Sequence, residues 1–405
     1  MTTPTLQSRH AADARTERPV ASGPVGPRRA VRSATRAERF DLLGAGAAGV
    51  AIATLLFGWL TPLQSPIGWT VVAMLAFIGC YALLVSLHGD IQEVKDNVVT
   101  VLLATAGVVL FTSLTFIVVY TVGRGFPALR HLNFFTQTME LAGPLEPLTV
   151  GGIKHAIVGT FIQLGIALSL SIPLGVATAV FLNEVGGRFA RFVRTVTDAM
   201  TALPSIIAGL FVYASVIQLV THQRSGFAAA IAITVMMLPI IIRSADVVLR
   251  LVPNPLREAS YAMGTTRWRT VWHVVLPTAR SGLVTAVILG TARGIGETSP
   301  VLLTSGVTSV MNTDPFNAPM ISLPLQVFDF VRSPEPTMIA RGFGAAAVLM
   351  MVVLALFAIA RVIGGRGPGE LSDRQRRRVA QRSARDDARF KARDLDDLSP
   401  QESDR

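Results

Sequence analysis

Eight stretches of about 20 mainly apolar residues dominate this chain, each long enough to cross the roughly 30 Å hydrocarbon core of a bilayer as a helix. They lie at roughly 41–60, 66–88, 98–122, 153–182, 197–220, 226–250, 281–304 and 343–364. Pro173 and Pro204 interrupt the fourth and fifth, so those limits are soft. Only 16% of the 405 residues are charged, against about 25% in soluble domains. Backbone in lipid must satisfy its own hydrogen bonds, which leaves helices as the natural spanning element for runs of this length. The expected fold class is an all-α integral membrane protein with about eight transmembrane helices. A single cysteine, Cys80, excludes an intrachain disulfide framework and any multi-cysteine metal site.

Charge placement gives an orientation. The formal net charge is +11, and almost all the basic residues are arginine. Arg28, Arg29, Arg32, Arg36 and Arg39 precede the first stretch, and the segments 183–194, 250–270 and beyond Arg361 are also basic. With eight crossings all four fall on one side, which the positive-inside rule makes the cytoplasm. The expected location is therefore the cell membrane, multi-pass, with both termini cytoplasmic. Basic termini beside spanning helices suit anionic lipid headgroups or partner proteins rather than nucleic acid. Residues 1–40 lack the apolar core of a secretory signal and are expected to be a disordered, Arg-rich cytoplasmic tail. The segment 366–405 mixes both charge signs and is expected to be a solvated, charged cytoplasmic tail.

Between the sixth and seventh stretches, Asn254 and Pro255 form an N-cap and N1 pair, and Gly264 suits a left-handed turn. Thr265 or Thr266 then caps a second helix through Trp268, Val271 and Trp272 toward Pro277. A helix–glycine turn–helix with an apolar side and basic flanks fits a docking element for a partner, or an amphipathic hairpin lying on the membrane. Glu258-Ala259-Ser260, Gly264 and the "VVLP" ending in Leu276 and Pro277 resemble the EAA loop of ABC importer permeases. Ser260 stands in place of the third alanine, and Val274 in place of isoleucine. The resemblance implies that 252–277 is a coupling loop seated on a cytoplasmic ATPase. No G-x-x-x-x-G-K-[ST] phosphate loop occurs in the chain. The chain is therefore expected to be a transport subunit rather than an enzyme, with no cofactor of its own; ATP and Mg belong to a partner ATPase.

"DAMTALPSIIAGLFVYA" (198–214), "MMLPIIIRSADVVLRLVPNPLREA" (236–259), "ARGIGETSPVLLTSG" (292–306) and "LPLQVFDFV" (323–331) resemble the phosphate permease subunits of PstA type. The resemblance implies a type I importer permease core of six helices in a domain at 98–365, with 41–90 as two additional N-terminal transmembrane helices. It also implies the partners: a homologous PstC-type permease subunit, a dimer of ATP-binding subunits, and an extracytoplasmic phosphate-binding protein docking on the outer segments 123–152 and 306–342. Those segments also suit loops plugging the outer mouth.

The seventh stretch places Arg293 and Glu297 at its middle. A charge at that depth costs about 2.5–3.5 kcal/mol on insertion scales and is by default a functional candidate. On one helix the two residues form an i, i+4 pair. The guanidinium fork suits a tetrahedral oxyanion such as phosphate, and Gly290, Gly294 and Gly296 remove bulk around it. Glu297 fits three roles: neutralising Arg293 in the empty path, accepting a proton-bearing phosphate oxygen, or completing a purely structural ion pair. Thr298 and Ser299 could donate to an anion or bond back to the helix. Arg243 could line the cytoplasmic exit or snorkel to headgroups. Asp198 is expected to be an N-cap. The other functional readings these residues permit are a permease for another oxyanion, an ion-coupled secondary transporter, and a membrane sensor or scaffold.

Overall fold

The computed structural model describes residues 36–60, 65–87, 91–364 and 373–398. Expectations for 1–35, 365–372 and 399–405 lie outside the described residues. The chain divides into two compact units, residues 1–115 and 116–405. In the first, α1 (Arg36–Leu55), extended by a π-helical turn to Leu60, packs along α2 (Pro66–Ser86). The Ser65 side chain accepts from the Gly68 amide and Pro66 opens α2, a pairing that needs no donor at N1. Ala45, Tyr81 and Val101 form this unit's small core. The long helix α3 (Ile91–Leu129) runs through the boundary at residue 115.

The second unit continues with α4 (Asn133–Thr136) and α5 (Lys154–Val180), then α6 (Gly187–Ala202), α7 (Ser205–Val212) and α8 (Gly226–Arg250). Next come α9 (Asn254–Ala262), α10 (Arg267–Thr270), α11 (Leu276–Ile295) and α12 (Ser299–Thr304). α13 (Leu323–Val331), α14 (Pro336–Gly364) and α15 (Asp373–Leu398) complete it. Among the described residues no strand occurs, and seven helices are long and apolar enough to cross a membrane. An eighth crossing results if α6 and the α7 rod, which continues to Thr221, count as one bent span.

The centre of this unit is α8, in whose apolar window 67% of residues are buried, against 28% or less in the other spanning helices. α5, α7, α11 and α12 pack around it. Its many alanines allow that crowding. α11 approaches α8 closely at its glycines: a Cβ on Gly290 would collide with Ile241, one on Gly294 with Met237 and one on Gly282 with Val248. The expected small-residue face on this helix is therefore real, and its partner is α8.

Four sequence expectations are corrected. The basic segment 183–194, read as a loop, is mostly the start of α6, and Asp198 lies inside that helix rather than capping one. The chain turns through 108° at Leu203–Pro204, because proline cannot donate to the preceding turn. The seventh stretch is not one helix. α11 ends at Ile295, Gly296 is its C-cap, and α12 starts at Ser299. Pro300 cannot donate to the Gly296 carbonyl and its ring crowds that carbonyl, and with the permissive Gly296 beside it the helix breaks here, although α5 and α8 carry Pro173 and Pro239 without a break. Arg341, which falls in an expected outer loop, instead lies in α14. It is 1% exposed and donates from Nη2 to the carbonyls of Glu146, Pro147 and Val150 at 3.1, 2.8 and 2.9 Å.

Candidate functional site

Arg293 occupies the last turn of α11 and Glu297 the break beyond it. Gly294 packs against Met237, at the middle turn of α8, so the break lies at mid-span depth. The expected pair forms although the helix does not continue: Arg293 Nε lies 3.0 Å from Glu297 Oε1. The Glu297 amide donates to the Gly294 carbonyl at 3.2 Å, a tightened turn that holds the carboxylate under the guanidinium. The partners differ in access, with Arg293 55% and Glu297 11% exposed. Glu297 thus engages the Nε edge from inside, and neither Nη of Arg293 makes a hydrogen bond to a described residue. Ser299 is exposed and Thr298 half-buried; neither hydroxyl bonds back to the helix, so both are free to donate.

Behind Glu297 lies a cavity of about 10 Å³, room for about one water. Gln163, Thr160 and Ser322 bring polar atoms to its wall. Gln163 Nε2 donates to the Met320 carbonyl at 2.6 Å, and the Thr160 hydroxyl accepts from the Leu323 amide at 2.7 Å. Gln163 Oε1 and Ser322 Oγ are buried without a protein partner. Sequence reasoning missed these residues. The available signal was a glutamine inside the apolar run "GTFIQLGIALSL", a polar side chain that a spanning helix places only against other protein.

The second candidate element is the segment joining α8 to α11. α9 begins one residue earlier than expected, with Asn254 at N1, and the Asn254 side chain accepts from Arg257 Nη1 at 3.2 Å instead of capping the backbone. Gly264 adopts φ +77, the left-handed turn expected of it, and Thr266 caps α10. Ser260, Thr265 and Thr270 join their hydroxyls in a triangle of 2.7, 2.9 and 3.0 Å, so serine at this position ties α9 to α10. The helix then continues through π-helical Val271–Val275 and past Pro277 into α11, with Leu276 packed on a cluster that includes Ala245, Leu249 and Val275. Arg257 anchors α9 to the bundle: Nε lies 3.2 Å from Glu184 Oε1, and the guanidinium donates to the Leu249 and Val252 carbonyls at 3.0 and 2.7 Å. Glu258, Ala259, Met263, Trp268 and Trp272 are exposed, forming a charged and apolar face outside the bundle.

Residues 171–363 match the family model described as the binding-protein-dependent transport system inner membrane component. "Phosphate transport system permease protein PstA 1" of Mycobacterium tuberculosis (strain CDC 1551 / Oshkosh) is 38% identical over 273 residues, covering 67% of this chain and 89% of that protein. The chain belongs to the PstA family. The PstA proteins of Mycobacterium leprae and Haemophilus influenzae are 37% and 34% identical, covering 65% and 63% of this chain and 86% and 85% of their own lengths. The family match takes in Arg243, the segment 252–277 and the Arg293–Glu297 break, and leaves out Thr160 and Gln163.

Arg243 does not join the mid-span group in this PstA-family chain. It lies six residues along α8 beyond Met237, a rise of about 9 Å toward the coupling segment, and faces Asp198 on α6 at 3.7 Å. Beside it, Asp246 holds Arg250 at 2.7 Å and Arg194 at 3.5 Å, and accepts from Asn183 at 3.0 Å. The i, i+4 spacing of Asp246 and Arg250 was a legible signal for this cluster.

Proposed function

We propose that the chain is the permease subunit of an ATP-driven importer that moves inorganic phosphate into the cytoplasm by alternating access. It takes its energy from separate ATP-binding subunits, which use ATP and Mg, and it neither binds a cofactor nor performs catalysis itself. Its partners are a homologous PstC-type permease subunit, an ATPase dimer and an extracytoplasmic phosphate-binding protein, within the lipid of the cell membrane. Both termini face the cytoplasm, and the permease domain is 98–365, with 41–90 as an added pair of crossings and 366–405 as a charged tail.

The carrying observation is the state of Arg293: at mid-span depth, half-exposed, with both Nη groups unbonded while Glu297 holds Nε. That outer edge of the guanidinium is the one that binds a tetrahedral oxyanion through two parallel hydrogen bonds. Thr298 and Ser299 add free hydroxyls beside it, and Arg243 carries positive charge further toward the cytoplasm. Inward-facing Glu297 neutralises Arg293 when the path is empty, which its 11% exposure favours over direct contact with phosphate. The segment 252–277 transmits ATPase closure to the bundle, with Glu258, Ala259 and Gly264 on the docking side, Ser260 holding α9 to α10, and Leu276 and Pro277 joining the lever to α11.

The test is uptake by the reconstituted assembly with Arg293→Ala. Loss of two charge-assisted hydrogen bonds to the transported anion is worth about 100-fold or more in transport efficiency. Uptake within about threefold of wild type by an assembled Arg293→Ala complex would contradict the reading. Glu297→Gln separates the roles of the carboxylate: a pairing role keeps phosphate preferred over sulfate, whereas a proton-accepting role loses that preference.

A further inference from the structure

We infer that the charged cleft between α6 and α8, at the end of the bundle carrying the coupling segment, is a second binding site for a phosphate oxyanion. The cleft has a volume of about 260 Å³ and is lined by Arg194, Asp198, Arg243, Asp246 and Arg250. Three guanidiniums face two carboxylates, so the group carries a net charge of +1 (3 − 2). The positive charge is also unevenly engaged. Arg250 is committed to Asp246 at 2.7 Å, and Asn183 occupies the other oxygen of that carboxylate. Arg194 makes only a long hydrogen bond to the same carboxylate, at 3.5 Å, and Arg243 lies 3.7 Å from Asp198, beyond hydrogen-bond distance.

Arg194 on α6 and Arg243 on α8 thus bring two loosely held planar forks to opposite walls of a space larger than one phosphate group. That arrangement differs from a structural ion-pair network, in which each fork is saturated by its carboxylate. Asp246 has a separate job: buried and held on both oxygens, it fixes Arg250 and orients Arg194 across the cleft. The site adjoins the coupling element, because Asn183, which bonds Asp246, precedes Glu184, which holds Arg257 of α9. The shared ligand chemistry is a phosphoryl group with at least two free anionic oxygens. Its two sources are inorganic phosphate on the cytoplasmic side and the headgroup of an anionic lipid. The inference rests on the phosphate reading only for the choice of ligand, and it does not depend on Arg293.

The experiment uses the assembled permease–ATPase complex carrying Arg293→Ala, so that binding at the mid-span site does not contribute. Equilibrium dialysis with radiolabelled inorganic phosphate, without ATP or binding protein, is expected to show residual binding that weakens about tenfold in Arg243→Gln and about tenfold again in R194Q/R243Q. R194K/R243K, which keeps charge but loses the forks, is expected to fall between. In a second arm, native mass spectrometry of complexes equilibrated with phosphatidylglycerol or phosphatidylcholine vesicles counts retained lipid. One phosphatidylglycerol lost on Arg243→Gln identifies the lipid as the source, and residual phosphate binding identifies the free ion. Arg243→Gln removes only a half-exposed, long-range contact, so the complex should assemble even if the double variant does not. Phosphate binding and lipid retention both unchanged in Arg243→Gln would overturn the proposal. Failure of Arg293→Ala to impair transport would contradict the mid-span reading alone.

Discussion

The coupling segment and the break at Gly296 are both places where glycine and proline interrupt helix, yet they are built in opposite ways. Around α9 and α10 nearly every polar group is satisfied: three hydroxyls bond one another, Thr266 caps α10, and Arg257 is shared among Glu184, Asn254 and two carbonyls. Around the break, groups are left open: Gln163 Oε1, Ser322 Oγ, the Nη groups of Arg293 and the hydroxyls of Thr298 and Ser299. An unmet buried polar group costs about 1–3 kcal/mol, which applies to Gln163 Oε1 and Ser322 Oγ but not to Arg293 and Ser299, whose polar ends are exposed. A saturated element moves as a rigid lever, whereas an unsaturated one accepts a guest. This contrast fits the proposed division of labour between ATPase coupling and anion passage.

Substitutions can break this contrast, the largest at Arg257. Arg257→Gln leaves Glu184, 11% exposed, without its cation, and is expected to destabilise the complex by about 3 kcal/mol, read as a fall in thermal unfolding temperature. Adding Glu184→Gln should restore much of that loss; no restoration would mean the pair is not the anchor. Next is Gly264→Ala, where φ +77 costs an L-residue about 1–2 kcal/mol although nothing lies within 4 Å of the new Cβ. Its expected signature is ATP hydrolysis retained with fewer phosphates moved per ATP, and an unchanged ratio would deny the turn a coupling role.

Two hydroxyl removals sharpen the comparison at smaller scale. Thr270→Val, at a buried position bonded to Ser260 and Thr265, is expected to cost about 1 kcal/mol. Ser322→Ala, at an equally buried hydroxyl with no protein partner, should not destabilise and is expected to raise stability by about 1 kcal/mol, because the unmet group's desolvation cost is removed with it. Equal losses at the two sites would erase the distinction between a saturated lever and an open site.

Much of the segment 252–277 was readable, apart from the Asn254 cap, because its determinants are local. A positive-φ glycine and a threonine cap act within a few positions of themselves. Most crossings were readable for the same reason, since length and apolarity suffice to define them, but the expected crossing at 197–220 spans the end of α6, the bend and α7. The break in the seventh crossing was concealed because Gly296 and Pro300 sit in a run whose hydropathy is continuous. The walls of the site were concealed for a different reason: Gln163 and Ser322 are about 130 residues or more from Glu297 in one case and 25 in the other, and only tertiary packing brings them together. Asp198 was misassigned because Pro204, not the aspartate, sets the boundary between α6 and α7.

The most direct test of the central claim is uptake into proteoliposomes containing the full assembly, with phosphate, sulfate and molybdate offered in turn, with and without ATP. ATP-dependent accumulation of phosphate, with little of the other two oxyanions, is the predicted result. Phosphate accumulation driven by an ion gradient without ATP, or no accumulation of phosphate when ATP is present, would contradict it.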